Sequence, residues 1–409
     1  MKIWHLTKTA SGGAGQYALR LSNAFRAAGI ESTVLVAEGP ERDGVGLLKR
    51  LDLPARRFAA RGIRSLSHRI SLAPYHSLRG LEHYDSPSGL QAPDIVHLHG
   101  MTGWIGVSGL RRLIPSQAKV FWTAHDLWML SGGCVVYRGC DEFRRNCSGC
   151  PILGTPWKMF AGQELRAKKA FIEAHQIRPI ANSQWMADRI RESSLFGWLG
   201  DIPIISPIVD DAYLMECIPD LRQELRIPAE RLVISLGARS IDDKFKGIPQ
   251  FLELLSRTQE LAGSLTVLVF GPGNIDVPGN LDVRLLGNLT NPRRLASVYR
   301  ASNVYVSPSQ METFGMTLVE AQACGTPVIC FSVGGTPEAV RDGETGWLTP
   351  CGDFQALMER LRLLLKDLQK LTAVGETARR WTRAEFCGNA VAGRQAAIYS
   401  HNDSSKFHG

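Results

Sequence analysis

Short apolar runs alternate with stretches of helical length along the whole 409-residue chain, and this restricts it to βαβ units built on mainly parallel sheets. The first half offers strands at Lys2–Leu6, Thr33–Val36, Asp94–Leu98, Val120–Thr123, Pro179–Ala181 and Ile202–Ile205. The second half repeats the scheme at Arg231–Leu236, Leu265–Phe270, Asp282–Leu286, Val304–Val306 and Pro327–Phe331. Ser206–Pro228, with three prolines and mixed polarity, reads as the connection between them. The expected fold is therefore α/β, with two doubly wound domains facing a cleft. The expected boundaries are 1–206, 207–380 and a C-terminal segment 381–409, with helices at Leu371–Phe386 and Asn389–Ser400 and a polar tail from Asn402.

Composition narrows the class further. With 44% hydrophobic and 21% charged residues, the chain has the mix of a globular protein rather than of a disordered or collagen-like one. Its apolar runs, such as Leu265–Phe270, are far shorter than the ~20 residues of a spanning helix. The start, Met1-Lys2-Ile3-Trp4-His5-Leu6, lacks the apolar core of a secretory signal, so a cytoplasmic setting is expected, with the nine cysteines reduced, metal-bound or packed. Lys and Arg total 47 against 39 acids, and the net charge of +8 favours anionic partners: nucleic acid, a phosphorylated ligand or an acidic membrane face.

Open parallel sheets bind ligands beyond the carboxyl ends of their strands. Four loops follow strands in the right way. Gly12-Gly13-Ala14-Gly15 opens a helix through Leu19, Leu21 and Phe25, and its bare backbone suits either a phosphate or sugar at a helix terminus or simply a tight turn. A dinucleotide fingerprint is disfavoured, because G-x-G-x-x-G is not matched and position 17 is Tyr17. In the second half, Gly237-Ala238-Arg239 and Lys246-Gly247 place two cations where a diphosphate would be neutralised, unless the loop is merely solvated. Ser307-Pro308-Ser309 leads to Glu312 and, eight positions on, Glu320, with Phe314 and Gly315 between them offering backbone N–H groups at a helix start. Carboxylates on both sides of such a turn suit a polyol.

These motifs, with Ala323–Pro327, Gly334-Gly335 and Pro337-Glu338, resemble those of family 4 glycosyltransferases over most of the chain. The resemblance implies the glycosyltransferase-B fold, two Rossmann-like domains around a cleft, and transfer of sugar from a nucleotide diphosphate with retention and without an essential metal. It also implies that Lys246 and Arg239 hold the donor diphosphate, Glu320 the ribose hydroxyls, and Glu312 the transferred sugar, with Phe314-Gly315 contributing backbone contacts. The family's Asn-Gly-Val-Asp turn is altered here to Ser206-Pro207-Ile208-Val209-Asp210. His125, after the strand Val120–Thr123, corresponds to a histidine that contacts the donor sugar; an imidazole can hydrogen-bond a hydroxyl, and the alternative is a packed ring beside a capping Asp126. In such a reaction the leaving diphosphate takes the acceptor proton, and Arg239 and Lys246 carry the charge stabilisation; a covalent intermediate on Glu312 is the other route.

Cys134-x5-Cys140-x6-Cys147-x2-Cys150 packs four thiols into seventeen residues. Three readings stand: a structural zinc site, a redox-sensitive or disulfide-linked loop, and plain packing. Cys217, Cys324, Cys330, Cys351 and Cys387 are scattered and read as packing residues. A similar Cys-rich segment after His-Asp-x-Trp occurs in the subset resembling colanic acid and other exopolysaccharide glycosyltransferases. Between Lys49 and Arg79 lie eight cations (Lys49, Arg50, Arg56, Arg57, Arg61, Arg64, Arg69, Arg79) and one acid, Asp52, interleaved with apolar residues. This is either a surface for anionic lipid at the inner face of the plasma membrane or a solvated helix face. No aromatic-rich strand motif accompanies it, so nucleic acid is not expected.

The expected activity is transfer from a nucleotide-sugar donor to a growing, lipid-linked surface glycan. The rivals are a sugar-phosphate acceptor and a catalytically silent glycan- or nucleotide-binding protein.

Overall fold

The computed structural model describes residues 1–51, 83–155, 157–216 and 219–401. The chain divides into two compact units. One comprises Met1–Ser206 together with the chain from Val391 onward, and the other Pro207–Ala390.

The first unit is built on a six-stranded, all-parallel sheet. Its strands are β1 (Lys2–Thr7), β2 (Glu31–Val36), β3 (Val45–Leu47), β6 (Ile95–Leu98), β7 (Lys119–Ala124) and β8 (Arg178–Ala181), in the order β3-β2-β1-β6-β7-β8. A small antiparallel pair, β4 (Lys49–Arg50) and β5 (Tyr84–Asp85), stands apart from it. Every residue of β6 is buried, as a parallel strand covered on both faces must be. The helix Gly12–Ala27 buries Tyr17, Ala18, Leu21 and Phe25, one stripe at helical spacing.

The second unit has the same plan. Strands β9 (Leu232–Gly237), β10 (Leu265–Phe270), β11 (Asp282–Leu285), β12 (Val304–Ser307), β13 (Val328–Ser332) and β14 (Gly346–Pro350) run parallel in the order β11-β10-β9-β12-β13-β14. Phe251, Leu252 and Leu255 of the helix Ile248–Ser256 are fully buried, each removal from water stabilising the unit by about 1.5–3 kcal/mol. At the end of β9 only glycine fits: a Cβ on Gly237 would lie 2.1 Å from the Phe270 ring.

Several expectations require correction. Ile202–Ile205 forms a single bridge, Ile204 with Ala181, rather than a strand, because Pro203 has no N–H for a ladder. The short β3 and the last strand β14 were not foreseen. Ser206–Pro228 is not a free connection: Val209, Tyr213 and Leu221 are buried in the core of the second unit, and two short helices, Asp211–Leu214 and Leu221–Glu224, start within it on side-chain caps from Asp210 and Asp220. The helix Leu368–Phe386 belongs to the second unit, and the chain rejoins the first unit at Val391 rather than at 381, through the helix Gly388–Ser400. Among the described residues no helix is long and apolar enough to cross a membrane.

Candidate functional site

In the second unit the loops after β9 and β12 meet. Asp243 caps the single turn Lys244–Lys246 by accepting from the Phe245 N–H at 3.0 Å, and the Phe245 carbonyl accepts from the Gln310 N–H at 2.8 Å. Gly247 then turns with φ 68°, and a Cβ there would sit 2.3 Å from the Pro308 carbonyl oxygen, so the two loops can approach this closely only at glycine. The result brings Lys246 Nζ to 2.6 Å from Glu312 Oε1, a half-buried ion pair between two residues singled out separately from the sequence.

Gly315, at φ 102°, begins the helix Met316–Ala323, whose first turn has neither a side-chain cap nor an acidic residue. Its N–H groups and positive dipole end are thus available to an anion. Phe314 is buried and packs edge-on against Phe386, leaving only its backbone for a ligand. Glu320 is buried one turn into this helix. Both Glu312 and Glu320 add to the burial that raises the Tyr305 phenol, which donates to the Gly237 carbonyl at 3.1 Å. The two carboxylates therefore share an electrostatic neighbour in Tyr305, which meets the end of β9. Gly334, at φ 56°, closes the site from β13: a Cβ would lie 1.7 Å from the Glu312 carbonyl oxygen. Arg239 is exposed on the neighbouring loop, where Ser240 donates to Asp242. Asp242–Phe245 thus makes the turn that presents Lys246.

In the first unit Gly12 and Gly13 have open space around them, Gly12 at φ 72°, whereas a Cβ on Gly15 would meet the Thr9 carbonyl oxygen at 2.1 Å. One glycine of the motif serves the tight turn and two leave the helix start uncovered. His125 follows β7, half-buried, and burial holds it neutral, its pKa pushed down to about 3. Asp126 accepts from the Trp128 N–H at 2.9 Å and from the Thr102 hydroxyl at 3.0 Å, as the capping reading expects.

Sequence reasoning missed what lies behind His125. His5, His97 and His99 are completely buried on one face of the sheet, where β1 and β6 pair His5 with His97. His5 Nδ1 lies 3.0 Å from His99 Nε2, and His99 Nδ1 lies 3.2 Å from His125 Nε2. His97 bonds Thr123 Oγ1 at 2.7 Å and the Tyr399 hydroxyl at 2.5 Å. Burial holds all three neutral, neighbouring rings adding to the effect at His97 and His99. The available signal was three histidines inside otherwise apolar strands.

In the Cys-rich loop the four thiols are near enough to act on one another electrostatically. Among the described residues, no three of Cys134, Cys140, Cys147 and Cys150 bring their sulfurs within 4.8 Å of one another, whereas Zn–S bonds of ~2.3 Å set tetrahedral sulfurs ~3.8 Å apart. Cys147 instead accepts the Gly132 N–H at 3.3 Å, and Cys150 packs in the core. Burial, with the neighbouring thiols adding to it, pushes the Cys134 and Cys147 thiols up to about 12 and about 11. The loop is held by Lys168, a fully buried lysine absent from the sequence expectations. Its ammonium donates to the Trp128 and Ser131 carbonyls at 2.5 and 2.8 Å and lies 3.8 Å from the Trp128 ring centre. All four cysteines are free, as are the buried Cys324 and Cys330, while Cys351 is exposed rather than packed. Cys217 and most of the basic stretch, from residue 52 to Arg79, fall outside the described residues; Lys49 and Arg50 of that stretch are exposed.

The fold that carries these loops is the glycosyltransferase-B fold. Over 98% of its length the chain is similar to Anabaena HepE in complex with UDP and glucose (17% identity, 99% of that chain, TM-score 0.68) and to sucrose-phosphate synthase from Thermosynechococcus elongatus (19% identity, 98% of that chain, TM-score 0.66). Residues 11–213 match the model described as Glycosyltransferase Family 4, and residues 219–381 match Glycosyl transferases group 1. The chain thus belongs to the glycosyltransferases these two models describe, family 4 over residues 11–213 and group 1 over residues 219–381. Among curated relatives it is similar to a D-inositol 3-phosphate glycosyltransferase of Corynebacterium efficiens, 34% identical over 205 residues, a stretch that covers 46% of this chain and 47% of the relative. A second, from Rhodococcus opacus, is 46% identical over 89 residues, 22% of this chain and 20% of the relative. The matched stretches span less than half of those relatives.

Proposed function

We propose that this protein transfers a sugar from a nucleoside-diphosphate sugar to a hydroxyl of an acceptor, with retention of configuration. The observation that carries the proposal is the Lys246–Glu312 pair beside the uncapped helix at Gly315 and the buried Glu320. A cation, a free helix terminus and two carboxylates meet the three parts of such a donor: diphosphate, ribose and sugar. In this reading Lys246 and Arg239 neutralise the diphosphate, Glu320 accepts from the ribose hydroxyls, and Glu312 orients the sugar.

The bond from the anomeric carbon to the leaving diphosphate breaks as the acceptor oxygen bonds to the same face, and the acceptor proton passes to the departing phosphate oxygen. Negative charge grows on the leaving group, so Lys246 and Arg239 supply the largest stabilising effect. His125, being neutral, acts as a hydrogen-bonding group toward the sugar rather than as an acid.

For the acceptor we favour a phosphorylated polyol, since the curated relatives are named for inositol 3-phosphate. A second reading, a lipid-linked exopolysaccharide, is favoured by the Cys-rich segment after His125-Asp126-Leu127-Trp128. The test is thermal stabilisation by UDP-, GDP- and ADP-hexoses, followed by product analysis with D-inositol 3-phosphate and with a polyprenyl-diphosphate glycan. Donor-dependent product with either acceptor supports transfer and selects between them. Stabilisation without product or donor hydrolysis would leave only a binding protein.

A further inference from the structure

Between Ala124 and Lys158 the described chain forms one regular element, the single turn Glu142–Arg144. A connection this long inside a compact unit is uncommon unless something other than secondary structure holds it. Cys134, Cys140, Cys147 and Cys150 are spaced along it. The first three line one cavity of about 30 Å³, together with Ser131, Arg138 and Phe143. That is room for a single small ion, far below the ~300 Å³ of a pocket for an organic ligand. Cys150 is buried and is an electrostatic neighbour of all three other thiols.

The backbone around these thiols is fixed. The Glu142 carbonyl accepts from the Cys147 N–H at 3.0 Å and its carboxylate from the Gly149 N–H at 3.1 Å, so one residue grips the Cys147–Cys150 turn twice. Cys147 itself takes φ 55°, a left-handed backbone that residues other than glycine seldom adopt. Two of the sulfurs receive backbone donors: the Gly132 N–H lies 3.3 Å from Cys147 Sγ, and the Glu142 backbone bonds Cys140. A donor aimed at sulfur favours the thiolate, which is the form that ligates a metal.

Plain packing accounts poorly for this arrangement, because Cys134 and Cys140 are only half-buried yet share a cavity with the buried Cys147. Positive charge is also in place. Four thiolates around a zinc ion leave a net charge of about −2. Lys168, fully buried, has Glu164, Cys147, Asp126 and Cys134 as its electrostatic neighbours, and Arg138 lines the cavity.

We propose that Cys134, Cys140, Cys147 and Cys150 are the ligands of a structural zinc ion, that Lys168 is the buried counter-charge of this tetrathiolate, and that the centre staples the loop following His125. The sulfurs stand wider than Zn–S bonds hold them, since no three lie within 4.8 Å of one another. Closing them on an ion is a matter of χ1, because a cysteine sulfur swings between staggered rotamers while its backbone stays in place. As each Zn–S bond forms, the thiol gives its proton to solvent, and nothing is oxidised or reduced. His5, His97 and His99 also bring ring nitrogens within 4.8 Å of one another. Neutral imidazoles supply no charge against a buried dication, whereas thiolates do.

The site lies wholly in the first unit and does not depend on the transfer reaction. The experiment is metal analysis by plasma mass spectrometry on untagged full-length protein, followed by cobalt substitution. Wild-type protein should carry about one zinc per chain. It should lose the ion to a chelator under reducing conditions and regain it from zinc chloride. Cobalt added to the zinc-free protein should give the visible bands of a tetrahedral site and sulfur-to-cobalt charge transfer in the near ultraviolet. Cys150→Ala should lose the ion, and Lys168→Met should bind zinc about tenfold more weakly. Protein that neither contains nor takes up zinc overturns the site, as do disulfides among the four cysteines in freshly purified protein, or iron in place of zinc. Zinc kept in Cys150→Ala but lost in His99→Leu would move the ion to the histidines and overturn it equally. Unchanged zinc affinity in Lys168→Met overturns the counter-charge. The wild-type metal content and cobalt spectrum decide the site even if a variant fails to fold.

Discussion

Lys246 Nζ and Glu312 Oε1 are 2.6 Å apart, so the cation assigned to the donor diphosphate and the carboxylate assigned to its sugar neutralise each other. Binding a donor means sharing or opening this pair. A half-exposed pair is worth about 1 kcal/mol, small against a diphosphate contact. Glu312→Gln should therefore tighten binding of the bare nucleoside diphosphate by about fivefold while lowering turnover, and Lys246→Ala should weaken donor binding and cut turnover by about a hundredfold. Titration calorimetry paired with transfer assays tests both, and unchanged nucleotide affinity in Glu312→Gln would show that the pair does not compete with phosphate.

Glu320 is buried in the helix that Gly315 opens. Losing hydrogen bonds from ribose to a carboxylate should cost about 2 kcal/mol, roughly thirtyfold in donor affinity. In Glu320→Ala the thermal shift produced by the best nucleotide sugar should largely vanish, with the unliganded melting point within a few degrees of wild type. A full shift in the variant removes Glu320 from the site.

Gly247 holds the loops after β9 and β12 together. Gly247→Ala combines a φ of 68° with a Cβ 2.3 Å from the Pro308 carbonyl oxygen, so one loop must move. Destabilisation of more than 1 kcal/mol and weakened donor binding are expected together. Gly13→Ala, which meets nothing within 4 Å, should fold normally. Chemical denaturation of the two variants makes the comparison; equal midpoints would refute the close approach at Gly247.

The neutral histidines predict a pH dependence with a definite sign. Unfolded, each ring takes a proton near pH 6.5, whereas folded His5 and His125 stay neutral to about 3. The unfolded chain therefore binds more protons below about pH 6.5. Stability is complete above that value and falls by about 1.4 kcal/mol per pH unit for each such ring as the pH drops toward 3. Urea midpoints at pH 7.5 and 5.5 should differ less in His5→Phe than in wild type. Equal differences would show that His5 charges as readily folded as unfolded.

Lys168 ties the Cys-rich loop through two carbonyls and a ring. Lys168→Met keeps the volume and removes both hydrogen bonds, so in chelator-treated protein the buried thiol of Cys147 should react with Ellman-type reagents at least tenfold faster than in wild type. Equal rates in the two chelator-treated proteins would show that Lys168 does not hold the loop.

Strands such as Leu265–Phe270 were legible because a parallel strand buried on both faces must be apolar throughout. β14, Gly-Trp-Leu-Thr-Pro, was not, since its apolar run is only Trp347-Leu348 and pairing with β13 makes it a strand. The same limit hid the buried histidine contacts. His5 and His99 are 94 residues apart, and only the register of β1 against β6 brings them together. Lys168 meets Trp128 and Ser131 across some forty residues for a similar reason. Motif residues close in sequence, such as Glu312 to Glu320, were read directly, whereas the ion pair between Lys246 and Glu312 needed the fold.

The first unit contains the chain up to Ser206 and again from Val391, and Tyr399 supplies the hydroxyl that meets His97 at its centre. During synthesis the ribosome must therefore complete every residue of the second unit before His97 can gain that partner. The first domain to emerge is the last to be finished, and a ribosome that stalls before residue 399 leaves His97 Nδ1 without its tyrosine hydroxyl.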